Sequence, residues 1–120
     1  MSLTASCHCG EVKIELADKP DSLTECNCSV CYRYGALWAY GTVKTMSVKA
    51  GPDALSYYCR GDKCIEFYHC RHCGCLTHYE SVAMTSDSRI AVNARMLPPD
   101  DIKDVSIRHF DGAGSWQFLD

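Results

Sequence analysis

Short runs in which apolar and polar residues alternate recur along most of the chain, and a period of two predicts strands. From Glu11 to Leu16 the residues Val12, Ile14 and Leu16 fall on one face. Comparable runs from Met46 to Lys49, Leu55 to Cys59, Ile65 to Tyr68 and Ile90 to Leu97 are bounded by turn residues. Helical signals are scarce. Only Ser29 to Tyr34 and Pro99 to Asp104, the latter with prolines and acidic residues at its start, invite a helical turn or two. The pattern predicts an all-β fold of short sheets, a single domain over residues 1–120.

One hairpin can be read in detail. Gly61-Asp62 between two extended runs, with glycine first, suits a type II′ turn, so Arg60 faces Lys63 and Cys59 faces Cys64. The second pair falls at a non-hydrogen-bonded position, where Cα atoms are about 4.5 Å apart, within the range of a disulfide. Two readings stand: a reversibly oxidised pair, or two thiols in a reduced hairpin.

At 120 residues and 47% apolar composition the chain has enough apolar surface for a real core, but cysteine makes up part of that fraction. Bound metal would then supply folding free energy that burial does not. Twelve basic and fifteen acidic residues are intermixed, for a net charge of −3, which argues against a nucleic-acid surface. No apolar run approaches the roughly 18 residues of a membrane span. No charged segment followed by an apolar one opens the chain, so the expectation is a cytoplasmic, reducing setting in which clustered cysteines serve metals rather than disulfides. A disulfide framework of the kind found in small secreted domains is the competing reading.

Seven of the ten cysteines form three motifs with the spacing of zinc ligands: Cys7-His8-Cys9, Cys26-Asn27-Cys28-Ser29-Val30-Cys31, and Cys70-Arg71-His72-Cys73. Residues i and i+2 of a strand share a face, which would aim the sulfurs of Cys7 and Cys9, or of Cys26 and Cys28, at one point, and Cys-X2-Cys does the same through a tight turn. A structural zinc takes four ligands, and a catalytic one takes three plus an open position. Seven divides into four and three. The outer pairs Cys7/Cys9 and Cys70/Cys73 are natural partners in the closed site, and the triplet Cys26, Cys28 and Cys31 is left with a vacancy.

Ser6-Cys7-His8-Cys9-Gly10, the cysteine triplet, Cys70-Arg71-His72-Cys73-Gly74, Val92-Asn93-Ala94-Arg95 and Phe110-Asp111-Gly112 through Trp116 together resemble the glutathione-dependent formaldehyde-activating enzyme family, which also includes centromere protein V. The resemblance spans nearly the whole chain. It implies a β-tent of small antiparallel sheets with two Zn2+ ions, one structural on Cys7, Cys9, Cys70 and Cys73, the other held by Cys26, Cys28 and Cys31. It also implies carbon–sulfur lyase chemistry: joining glutathione to formaldehyde as S-hydroxymethylglutathione, or the reverse cleavage. A substrate thiol is a soft donor suited to the vacancy. Three cysteinates make such a centre anionic, which favours holding a thiolate over activating water.

Supporting groups are open at this level. Asn27 and Ser29 lie within the triplet as candidate donors around it, or as turn residues satisfying the backbone. His69, His72 and His78 are candidate acid/base groups, and His8 points away from its flanking ligands. Arg33, Arg95 and Asn93 are candidate anchors for a substrate carboxylate, or structural side chains. Tyr32 and Tyr34 line a pocket or pack. Cys75, beside Cys73-Gly74, departs from the family pattern and can compete for the structural metal. Glu25 precedes the triplet but should face away. Two non-lyase readings remain: a zinc-binding interaction module without catalysis, and a thiol oxidoreductase using Cys28/Cys31 or Cys70/Cys73, which lacks the long helix that activates such a nucleophile.

Overall fold

The computed structural model describes residues 2–59, 65–82, 85 and 88–120. The Gly61-Asp62 turn and Cys64 lie outside the described residues, but Cys59 closes the strand Leu55–Cys59 and stands opposite Glu66 rather than Cys64, so the register differs from the one the turn signal suggests. Ten strands are formed among the described residues: β1 (Leu3–Ser6), β2 (Val12–Leu16), β3 (Ser22–Cys26), β4 (Trp38–Thr42), β5 (Met46–Ala50), β6 (Leu55–Cys59), β7 (Ile65–Cys70), β8 (Leu76–Ser81), β9 (Arg89–Asn93) and β10 (Ser106–Phe110). Two short helices join them, α1 (Ser29–Tyr34) and α2 (Pro99–Ile102). The fold is all-β, as the periodicity predicts.

Where residues alternate cleanly, strand and expectation agree, as in β2, whose Val12, Ile14 and Leu16 are buried while Lys13 and Glu15 are exposed. The run from Ile90 does not stay extended to Leu97. Asn93 accepts the Arg95 amide at 3.3 Å and turns the chain into a 3₁₀ turn at Ala94–Met96. Strand β8 lacks a clean period of two because Leu76 to Tyr79 are buried in succession, which is how a strand covered on both faces reads.

The strands form two sheets. One is three-stranded and antiparallel, in the order β1-β2-β5, and the other is seven-stranded, in the order β10-β3-β4-β9-β8-β7-β6. The second is larger than the small sheets the resemblance implies, and it is not wholly antiparallel: β10 runs parallel to β3, with Phe110 opposite Cys26. The Asn27 amide extends that pairing by donating to the Phe110 carbonyl at 3.2 Å. Parallel strands end at the same edge, so whatever follows Phe110 is delivered to whatever follows Cys26.

The two faces of the large sheet serve different purposes. Ala39, Ile90 and Val92 pack with Leu3, Ile14, Leu16 and Met46 of the small sheet into the main apolar core. Cross-strand register puts Tyr40, Ala91, Tyr79 and Phe67 in one row on the opposite face, with Trp38 two residues from Tyr40 on the same side. Here Trp38, Phe67, Tyr79 and Ala91 form a second cluster with Cys28 and Cys31. Aromatic edges fix it: Trp38 and Tyr79 lie 4.8 Å apart at 70°, and Phe67 and Tyr79 lie 5.5 Å apart at 63°.

The main core should dominate stability. Ile14 is 1% exposed at its centre, so Ile14→Ala is expected to destabilise the fold by about 2–5 kcal/mol, read as a lower urea midpoint with unchanged slope.

Candidate metal centres

The first centre is assembled from turns. Strand β1 ends at Ser6, so Cys7 to Gly10 is a tight turn rather than the strand that the i, i+2 spacing suggests; the Gly10 amide returns to the Cys7 carbonyl at 3.2 Å. Cys70 closes β7, and Arg71 to Gly74 folds back, with the Gly74 amide donating to the Cys70 carbonyl at 2.9 Å. Gly10 and Gly74 both sit at positive φ, +88° and +79°, which a side chain would strain. The sulfurs of Cys7, Cys9, Cys70 and Cys73 all lie within 4.8 Å of one another.

Two of these separations are 3.7 Å (Cys7 to Cys9) and 3.5 Å (Cys9 to Cys70). A zinc ion with four sulfurs at about 2.3 Å gives tetrahedral edges of about 3.8 Å, so the donor set fits the ion. Backbone amides point at the sulfurs as they do at thiolates: Val12 to Cys7 at 3.3 Å and His72 to Cys70 at 3.4 Å. The protein alone cannot ionise all four. The amides of Cys75 and Cys9 hold Cys73 down at about 5. At Cys9 the Glu11 amide favours the thiolate, but desolvation and the thiols of Cys70, Cys7 and Cys73 overrule it and push it up to about 12. A divalent cation removes that conflict.

The second centre joins a strand end to a helix start. Cys26 closes β3, Cys28 is the N-cap of α1, and Cys31 lies in its first turn. The Cys28 sulfur accepts the Cys31 amide at 3.4 Å, the role usually filled by a serine or aspartate oxygen. The Cys28 amide points at Cys26 Sγ at 3.5 Å. All three sulfurs lie within 4.8 Å of one another, again a donor set suited to a soft metal. Burial raises Cys26 and Cys31; it opposes ionisation of Cys28 too, but the Cys31 amide and the neighbouring thiols outweigh it and lower Cys28.

The loop after β10 lies against this triplet. A Cβ on Gly112 would come within 2.7 Å of Cys26 Sγ and 3.1 Å of Cys28 Cβ, so only glycine permits the approach. Asn27 ties the loop down, donating to Asp111 Oδ1 at 2.9 Å and accepting the Ala113 amide at 2.9 Å. The other Asp111 oxygen takes the Ser115 amide and hydroxyl at 2.9 and 3.0 Å. These donors, the Ser115 amide foremost, hold the Asp111 carboxyl below its usual range. Trp116, at φ 62° and 66% exposed, stands at the outer end of the loop.

Several sequence candidates resolve structurally. His78 is fully buried on the sheet face away from the triplet, its Nε2 3.0 Å from Glu80 and its ring stacked on Tyr68, so it is not an acid/base for that centre. Asn93 is buried and bonded to Leu37, Leu76 and Arg95, which leaves it no free group for a substrate, while Arg95 is exposed and donates its Nε to the Gly35 carbonyl at 3.2 Å. His8, His72, Tyr32 and Glu25 are exposed, and His69 is half-buried next to Cys70. Cys75 sits at the edge of the first centre, where the Cys73 thiol is among its neighbours. Arg33 and Ser29 line a cavity of about 460 Å³ along α1 with Val30, Tyr34 and Tyr58. A groove over the small sheet is lined by Thr4, Lys13, Glu15 and Lys49, with no cysteine among its described lining residues.

Trp38, Tyr40, Tyr79, Arg89 and Gly112 went unassigned at the sequence level. Trp38 and Tyr40 share a face of a strand only five residues long, too short to stand out, and Arg89 lies over the Tyr40 ring at 4.5 Å. Burial raises both tyrosines, with Arg89 opposing, so both phenols stay protonated.

A family model described as glutathione-dependent formaldehyde-activating enzyme matches residues 2–106. The chain is also similar to a solved structure of a Rhodobacter sphaeroides protein, a structural-genomics target, at 30% identity and a TM-score of 0.68, covering 89% of this chain and 99% of that one. No curated protein matches the sequence at a significant level. Among the described residues no helix is long and apolar enough to cross a membrane.

If the loop holds the triplet in place, Gly112→Ala is expected to lower metal content by about one equivalent at the second centre. Elemental analysis should then find the four-cysteine centre still loaded, and an unchanged total would contradict the role given to the loop.

Proposed function

The chain belongs to the glutathione-dependent formaldehyde-activating enzyme family, and on that footing we propose that it is a carbon–sulfur lyase-type zinc enzyme acting on a thiol adduct such as S-hydroxymethylglutathione. One observation carries the reading: three sulfurs converge at the second centre while four converge at the first. The four-cysteine centre is structural. Cys26, Cys28 and Cys31 are the groups that would hold a second zinc, which when bound supplies a soft Lewis-acid position for a substrate thiolate. A reducing compartment such as the cytosol keeps these thiols available.

The remaining work falls to the chain. Among the described residues the α1 cavity offers one cation, Arg33, two phenols, Tyr34 and Tyr58, and the hydroxyl of Ser29, with no carboxylate in its lining. It suits an anionic thiol with an apolar stem, and Arg33, its Nη1 already braced on the Ser29 carbonyl at 2.9 Å, is placed to take a carboxylate. On the other side the Gly112 loop shields the sulfurs from water. In the joining direction the C–S bond forms as the carbonyl π pair moves to oxygen, which takes up the proton the thiol released. Cleavage reverses this. Tyr79, protonated and on the triplet's face of the sheet, is the donor best placed to stabilise the developing alkoxide.

Serine substitutions separate the two centres. Cys70→Ser is expected to abolish cooperative folding, since metal binding and folding are linked there. Cys28→Ser keeps an oxygen at the helix N-cap, so it should retain the fold and lose glutathione binding by calorimetry. Equal binding by Cys28→Ser and the parent would favour the interaction-module reading. Arg33→Ala should weaken glutathione about tenfold while leaving cysteamine, which has no carboxylate, unchanged; equal losses for both thiols would remove Arg33 as the anchor.

A further inference from the structure

Among the described residues one buried side-chain polar atom has no hydrogen-bond partner, the indole nitrogen Nε1 of Trp38. Trp38 is 0% exposed. A buried donor left unpaired keeps the full cost of its desolvation, so an orphan of this kind calls for an acceptor that arrives later. It stands in the cluster that contains Cys28 and Cys31, and no acceptor among the described residues meets its N–H in hydrogen-bond geometry.

The other sulfurs of the two centres show what is missing. Cys7, Cys70, Cys26 and Cys28 each receive a backbone N–H, from Val12, His72, Cys28 and Cys31. Among the described residues no backbone amide is bonded to Cys31 Sγ. A neutral thiol is a poor acceptor and a metal-bound thiolate a good one. We infer that Trp38 is a positioning residue of the second centre, its indole N–H donating to the Cys31 sulfur once that cysteine ligates a metal. The inference rests on metal binding by the triplet, as proposed above. Its consequence is specific. With a substrate thiolate added, the centre carries more negative charge than a divalent ion offsets, and a fixed N–H dipole in a water-excluded pocket absorbs part of it without adding a proton that can leave.

The test uses 15N-labelled full chain loaded with 113Cd, with Trp116→Phe to assign the two indole signals. Magnetisation transfer from cadmium to the Cys31 amide proton, whose bond goes to Cys28 Sγ, reports that the triplet is loaded. With that signal present, transfer to the Trp38 indole proton is the expected result, and its absence overturns the inference while leaving the metal-site reading intact. Cadmium confined to the four-cysteine centre overturns both. Trp38→Phe retains an aromatic ring against Phe67 and Tyr79 and removes only the donor end. It should weaken cadmium at the second centre about tenfold or more, with the four-cysteine centre in the same molecule as control. Unchanged affinity at both centres, or an equal loss at both, would count against Trp38. Should the variant fail to fold, the transfer measurement on the parent decides alone.

Discussion

Sulfurs packed within 4.8 Å of one another cannot all carry charge unless a cation joins them, and that constraint organises much of this structure. In the four-cysteine centre it joins Cys7 and Cys9 to Cys70 and Cys73, more than sixty residues along the chain. The residues around it are chosen for turning and donating: two glycines at positive φ and amides aimed at sulfur. Apolar burial there is thin, with Val12, Ala54 and the cysteines themselves making up the local cluster. A metal held by these four sulfurs would supply there the folding free energy that this thin burial does not.

The second constraint is topological. Because β10 runs parallel to β3, their ends coincide, and the chain leaves Phe110 directly over the triplet. An antiparallel partner would have carried the Asp111 to Trp116 loop to the far end of the sheet. Asn27 is the hinge between the two segments: its backbone continues the strand pairing, and its side chain closes the loop through Asp111 and Ala113. This single residue ties the geometry of the metal ligands to the geometry of their cover.

The cysteine motifs were legible in the sequence because ligand spacing is local. A pair two or three residues apart must meet whatever the surrounding fold. The mechanism behind the short pair was less legible: Cys7 and Cys9 converge through a turn, not along a strand. Residues whose roles depend on distant register were hidden. His78 and Tyr79 are adjacent in sequence, yet pairing with Val92 and Ala91 sends them to opposite faces, one stacked on Tyr68 in the interior and the other beside the triplet. Arg95 and Asn93 had the chemistry of anchors, and tertiary contacts used it to fasten the end of α1 to β9. Asn27 was open to two readings, a donor around the triplet or a turn residue satisfying the backbone, and its side chain bonds Asp111 and the Ala113 amide of the loop.

The two centres share one ligand type and diverge through what surrounds it. Cys9 is exposed in the first, and its sulfurs are supported by backbone donors that any sequence with those turns would provide. In the second, Cys28 and Cys31 are buried against Trp38, Phe67 and Tyr79, where each charge is expensive and each dipole counts for more. A buried anionic centre with an unfilled position is poorly suited to holding a fold together, since the missing ligand leaves a defect in the core. It is well suited to binding a partner that brings its own sulfur, because filling the vacancy and satisfying the pocket's polar groups occur in one event. On the function proposed above, stability would be the task of the first centre and recognition that of the second, a division in keeping with burial and ligand count.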